Sequence, residues 1–176
     1  DAQPLRVAAI RAGEQGDGVG IGHHLGIRHL RYDGLHQRLD IGNLRGVALQ
    51  LADGPAYPWL PAERRWRILA VPSADCRERC DKLAHDLDIV WQALGHVRDH
   101  ADVLWAGAVP ASAPKTSAPR AVGPADVLKV RLPRADAPGN AVVYVIDPNG
   151  FVVLRYAPGF DPADLRMDLS RLLKLQ

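Results

Sequence analysis

The sequence predicts an α/β fold: a central mixed sheet flanked by helices and closed by a C-terminal β-hairpin plus helix. Three observations predict it. Trp66-Arg-Ile-Leu-Ala-Val71 is a short apolar run that hands over directly to an amphipathic helical pattern carrying Leu83, Leu87, Val90 and Leu94. Ala141-Val-Val-Tyr-Val-Ile146 and Phe151-Val-Val-Leu-Arg-Tyr156 flank Asp147-Pro-Asn-Gly150, whose proline fixes one φ and whose asparagine and glycine tolerate positive φ. Asp161 then precedes Pro162, the cap and first-turn chemistry of a last helix striped by Leu165, Leu169, Leu172 and Leu173.

The remaining elements follow in order. Residues 1–43 read as an N-terminal arm. Its glycines, Gly18-Val-Gly-Ile-Gly22, share part of a dinucleotide loop, but His23 occupies the third glycine position and no strand-to-helix transition surrounds them. Val47 to Leu51 alternates weakly and ends in Ala52-Asp-Gly54, a turn. Tyr57-Pro-Trp59 reads as a returning strand or an aromatic plug. Pro72-Ser-Ala-Asp75 is a loop that offers Ser73 or Asp75 as a cap for the helix from about Arg77 to Leu94, which Gly95 stops. Asp102 to Trp105 is a short strand. Gly107 to Gly123, rich in Ala, Pro and Ser, reads as a surface loop or an insertion with little structure of its own. Val127 to Leu132 alternates in a way that suits a strand or a short helix.

Bulk properties narrow the function classes. A net charge of +2 over 176 residues gives no basic excess for nucleic acid. No apolar stretch reaches the roughly 20 residues that a membrane helix needs. The first residue is Asp1, which reads as a processed or trimmed start from which a signal or anchor has been removed. The two cysteines are too few for a disulfide scaffold, but they permit one bridge, one metal site or one reactive pair.

Those two are Cys76 and Cys80, at the end of a strand and the start of a helix. Unpaired backbone N–H groups and the positive dipole end favour a thiolate there. Arg77 and Arg79 add positive charge, and Asp75 and Glu78 oppose it. Cys76 is expected to be the more exposed thiol of lower pKa, and Cys80 the resolving one. Spacing sets a condition on any bridge. Residues four apart on a regular helix hold their Cβ atoms roughly 5–6 Å apart, whereas a disulfide wants about 3.5–4.5 Å. Either Cys76 lies in the preceding loop or the first turn distorts, and such a bond is readily reduced. Soft thiolates also suit Cu(I).

Strand, dithiol helix, strand, long loop, hairpin and helix is the element order of a thioredoxin-like fold with additions, here residues 44–176. The strand–helix–strand part calls for a parallel crossover and the hairpin for an antiparallel edge. With the C-x3-C pair, the segment RWRILAVPSADCRERCDKLAHDLDIVWQALG and the ending VVYVIDPNGFVVLRYAPGFDPADLRMDLSRLL resemble a divergent branch of the Sco/SenC family of thioredoxin-like proteins. The resemblance runs from about Leu44 to Gln176. It implies a role in cytochrome c oxidase assembly on the periplasmic side of the bacterial inner membrane, with a tether upstream. It implies a respiratory oxidase subunit or its assembly factors as partners, and copper held by the two cysteines and one distant histidine. Counted back from Asp147-Pro148, that histidine position falls at Gly139, and no histidine follows His100. Asp81 stands where the family has a proline after its second cysteine.

Other candidates have ordinary readings. His85 is a turn and a half from Cys80, poorly placed to share a metal with it. His96 and His100 follow a helix stop, where histidine meets terminal carbonyls. His23, His24, His29 and His36 fit a solvated or partner-facing arm. Trp91 reads as core, and Trp66 as the cover of a sheet edge. Neither these two nor Trp59 and Trp105 have the spacing of a nucleic-acid platform. Asp86 and Asp88 read as solvated.

The expectation is an extracytoplasmic thioredoxin-like protein that assists respiratory oxidase assembly. It would work by thiol–disulfide exchange, or by weakened copper handling, at Cys76 and Cys80. The competing expectation is a non-catalytic binding module in which the cysteines form a structural disulfide and the Ala/Pro loop and arm recruit a membrane partner. Exchange requires accessible sulfurs; a pair sealed in the apolar interior would leave only the architecture.

Overall fold

The computed structural model describes residues 42–137 and 141–175. The arm expected at residues 1–43, its glycines and its four histidines therefore lie outside the described residues, except for Gly42 and Asn43, and so does Gly139. Six strands form one sheet: β1 (Gln50–Leu51), β2 (Trp66–Val71), β3 (Ala101–Ala106), β4 (Arg120–Gly123), β5 (Val142–Ile146) and β6 (Val152–Tyr156), in the order β1-β4-β3-β2-β5-β6. The helices are α1 (Arg77–Ala93), α2 (Ala125–Arg131) and α3 (Pro162–Leu172). β2 pairs parallel with β3, and β3 with β4; β5 runs antiparallel to both β2 and β6. This is the thioredoxin-like mixed sheet expected from the element order.

β2 is central, so both its faces are covered and all six residues are buried. That explains its unbroken apolar sequence, since a strand covered on both faces has no solvent side to alternate toward. Alternate residues feed two cores. Ile68 and Ala70 meet Leu83, Leu87 and Val90 of α1 and Leu165 and Leu169 of α3 on one face. Leu69 and Val71 meet Leu44, Leu49, Leu51, Tyr57 and Leu128 of α2 on the other.

Most local expectations hold. The Asp147–Gly150 turn closes by Gly150 N–H donating to Asp147 O (3.0 Å), and the Asp147 carboxylate accepts from the backbone of Asn149 and Phe151. Gly150 has φ +93°, and a Cβ there would meet Arg45 N at 3.0 Å, so glycine is needed twice over. Asp161 caps α3 by accepting from Ala163 N–H at 2.9 Å. Val127 to Arg131 resolves as helix and Leu132 as its extended C-cap, with only Leu128 of α2 buried.

Three readings are corrected. Neither Ser73 nor Asp75 caps α1: Cys76 is the N-cap residue, without a side-chain cap bond, and Ser73 Oγ finds no partner among the described residues. Trp66 covers no sheet edge, because its strand is central. Residues 107–123 are not all loop: Arg120–Gly123 forms β4. Its four residues lack an apolar pattern of their own, and pairing with β3 makes the strand.

The aromatic plug is real. Tyr57 N–H donates to Leu49 O (2.6 Å) and Trp59 Nε1 to Val47 O (3.1 Å). Between their rings and β2 lies the Arg67 guanidinium, 1% exposed and 4.8 Å from the Trp59 ring centroid. It donates to Tyr57 Oη (3.0 Å), Arg65 O (2.7 Å) and Pro148 O (3.2 Å), while Tyr57 O–H donates to Asp102 Oδ2 (2.7 Å). Burial pushes the Tyr57 phenol up to about 12, with Arg67 opposing and Asp102 assisting. The folded state thus holds this proton more tightly than the unfolded chain. The contribution is complete below about pH 10 and is lost as pH rises through about 12, amounting to about 2–3 kcal/mol. Alkaline unfolding followed by tryptophan fluorescence should steepen across that window, and Tyr57→Phe should remove the increment.

Candidate functional site

The fully buried β2 fixes one side of the site. Its chain leaves the sheet at Val71, passes Pro72–Asp75 and enters α1 at Cys76. Cys76 and Cys80 form a disulfide with Cα atoms 5.2 Å apart. Both parts of the geometric condition appear. Cys76 sits at the cap position, outside the helix proper, with φ −66° and ψ −42°. The next residue, Arg77, has φ +33°, a left-handed value that non-glycine residues rarely take. The ring nonetheless keeps its backbone bonds, because Arg79 N–H and Cys80 N–H both donate to Cys76 O (2.9 and 3.2 Å).

Access departs from expectation. Cys76 is 3% exposed and Cys80 7%, so Cys76 is not the more exposed residue. Both belong to the core between α1, α3 and the sheet, so the accessible sulfurs that exchange was expected to require are not present in this closed state, and exchange would need the cover to open. The reason is the phase of α1: Cys76, Cys80, Ala84 and Leu87 recur at three- and four-residue steps and lie on its inward face. Arg77, Glu78 and Arg79 point outward and are exposed.

The segment between β3 and β4 helps to close the site. Val109 and Ala113 pack against the same core. Two hydrogen bonds fasten the segment to α1 two turns apart. Ser112 O–H donates to Asp81, the residue after Cys80, and Ser117 N–H donates to Asp88 Oδ1 at 2.7 Å. Asp88, read as solvated from the sequence, is 3% exposed and also accepts from Gln92. Its partner is a backbone amide 29 residues away, so no local pattern signals it. Asp86 does lie on the outer part of α1, paired with Lys82.

Among the described residues, the histidines join no cluster with the sulfurs. His85, His96 and His100 are exposed. Among the described residues no three His, Cys, Asp or Glu side chains come together as a metal site. Two sulfurs are the whole soft donor set here. A second buried carboxylate, Asp168 on α3, accepts from Tyr156 O–H (2.7 Å), and burial with that carboxylate pushes the Tyr156 phenol up. Tyr156 and Asp168 were not singled out in the sequence; a tyrosine ending an edge strand and an aspartate inside a leucine stripe were the available signal.

Residues 66–176 match the family described as transmembrane-like, thioredoxin-like, C-terminal domain. Among solved structures, yeast Sco1 superposes with a TM-score of 0.59 at 13% identity, covering 80% of this chain and 98% of that one. Yeast Sco1 with copper bound gives 0.55 at 14% identity, covering 73% and 90%. Arabidopsis thaliana ScoI with copper bound gives 0.50 at 13% identity, covering 73% and 96%. At these identities the likeness is one of fold, and it bears out the thioredoxin-like fold read in the sequence. No curated protein matches the chain. Among the described residues no helix is long and apolar enough to cross a membrane.

The two fastenings should differ in weight. Asp88→Ala strands the buried Ser117 amide and should cost about 1–3 kcal/mol in urea unfolding. Asp81→Ala opens a hydrogen bond that water replaces, and should cost under about 1 kcal/mol.

Proposed function

The chain belongs to the transmembrane-like, thioredoxin-like C-terminal domain family, and from that premise we propose that it is an extracytoplasmic thiol–disulfide exchange protein working at Cys76 and Cys80. The observation that carries this reading is the bridge itself, set where the central strand gives way to α1 and closed across a left-handed Arg77. The Sco-like resemblance of the sequence supports maturation of a respiratory oxidase as the setting. It also supports the oxidase or its assembly factors as partners, at the periplasmic face of the inner membrane.

The reduced pair starts a cycle. The Cys76 thiolate attacks one sulfur of a partner disulfide, and the other partner sulfur leaves as a thiolate and takes a proton. Cys80 then attacks the mixed disulfide at Cys76, restoring the bridge and releasing the partner dithiol. Two electrons pass to the partner, and an external dithiol reductant returns them to the pair. Run backward, the same steps oxidise a partner dithiol. Because both sulfurs are covered, exchange begins with lifting the Ala/Pro segment, whose Ser112–Asp81 bond beside Cys80 is the weaker fastening.

Copper suits the reduced pair less well. Two thiolates are soft donors for Cu(I), but no third ligand joins them among the described residues. Burial of both cysteines favours a second reading, in which the bridge is a staple in a binding module. A shallow apolar depression of about 470 Å³ along Val109, Pro110, Ala113 and Pro114 would then be part of the surface a membrane partner meets.

Equilibration of the pair with dithiothreitol or glutathione couples separates the readings. Exchange predicts a potential above about −300 mV, and a staple a value far below it. Cys80→Ser should accumulate a mixed disulfide at Cys76, and Cys76→Ser should abolish turnover of a partner disulfide. Titration of reduced protein with Cu(I) should give at most weak binding that Cys76→Ser removes. Tight stoichiometric binding that persists in that variant would place the metal elsewhere.

A further inference from the structure

Four non-glycine residues have left-handed φ among the described residues: Arg64, Arg77, Ala118 and Arg134. Only Arg77 lies within the ring closed by the disulfide. Arginine is a good helix former, and both neighbours of the Arg77 peptide belong to a helix start: Cys76 is right-handed and Glu78 lies in the first turn. The Arg77 residue is exposed, so packing does not impose its backbone. What remains is the covalent ring. At helical dihedrals throughout, the Cβ atoms of Cys76 and Cys80 would stand too far apart to bond. Some residue must leave the right-handed region, and Arg77 is the one that does.

We propose that Arg77 is a positioning residue that sets the reduction potential of the Cys76–Cys80 pair through its backbone. The bridge holds Arg77 in a conformation that a side chain with a Cβ disfavours. Reduction removes the constraint and lets Arg77 rejoin a regular first turn. The oxidised form carries the strain and the reduced form does not, so the pair is biased toward the dithiol and the bridge is a stronger oxidant. In the step concerned, a partner dithiol supplies two electrons and two protons. The Cys76–Cys80 S–S bond breaks, both thiols are protonated, and an S–S bond forms in the partner. This inference rests on the exchange reading and adds what tunes it.

Glycine takes left-handed φ without the Cβ clash and gains nothing from returning to helix. Asparagine tolerates the region better than most residues. Alanine keeps the clash while removing the guanidinium. The difference between alanine and glycine therefore reports the backbone, free of charge effects. Full-length wild type, Arg77→Ala, Arg77→Asn and Arg77→Gly are equilibrated at pH 7 with graded dithiothreitol couples, quenched by alkylation and counted by mass spectrometry. The Gly variant should hold its bridge about 5- to 30-fold more strongly than the Ala variant, with Asn between them. Each tenfold is about 30 mV toward more reducing potential. Ala and Gly agreeing within about twofold, or Gly being the more oxidising, would overturn the proposal. A wild-type potential far below about −300 mV ends the exchange reading whatever the series does. An Ala–Gly tie at a higher potential leaves exchange standing and ends only the role of Arg77. The Asn variant keeps the sign testable should Gly disturb folding.

Discussion

A disulfide between residues four apart cannot be closed on a regular helix, and this conflict shapes the site. The sheet cannot yield, because β2 is buried along its whole length and paired on both sides. α1 cannot shift along its axis, because Leu83, Leu87 and Val90 are locked into the core with α3. The discrepancy is absorbed where the chain is least supported, in the exposed backbone just after Cys76. A longer spacer would have relieved the ring, and a shorter one would have moved the second cysteine around the helix. With this spacing, both sulfurs face inward and the adjustment faces outward.

The same arrangement explains why the pair is covered. A bridge on the inward face of α1 becomes part of the core, and the segment after β3 is fastened along the flank of the helix. The fastening is uneven. Ser117 is held by a buried carboxylate that already has a second donor, so lifting that end exposes an unpaired amide and a desolvated charge. Ser112 is held at the surface, where water can substitute. Of the two attachments, the Ser112 one is therefore the weaker, and the segment is held unevenly along the helix.

The architecture was readable where sequence pattern and local chemistry agree. Trp66–Val71, the Asp147–Gly150 turn and the Asp161-Pro162 helix start carry apolar runs, turn residues and caps that each mean one thing locally. β4 was not readable, because four residues with one buried valine owe their extended form to pairing with β3. The position of the cysteine pair was readable, and so was the need for a distorted first turn. Their burial was not, since it depends on which face of α1 meets the sheet. Asp88 was misjudged for a related reason: a carboxylate on a helix looks solvated until a distant backbone amide closes over it.

Burial also weighs between the two chemistries the pair can support. A disulfide is neutral, and so is a pair of protonated thiols, so the two resting states ask the apolar interior to hold no net charge, and only the attacking Cys76 thiolate is charged in passing. Two thiolates around Cu(I) carry a net negative charge, and burying that charge without a partner is expensive. The arginines able to offset it, Arg77 and Arg79, are exposed to solvent. A third neutral ligand would stabilise the metal without adding charge, yet the described residues bring none to the sulfurs. Among the described residues, then, exchange asks the interior to hold one thiolate in passing, whereas an ion bound by the two sulfurs alone would ask it to hold a net charge throughout.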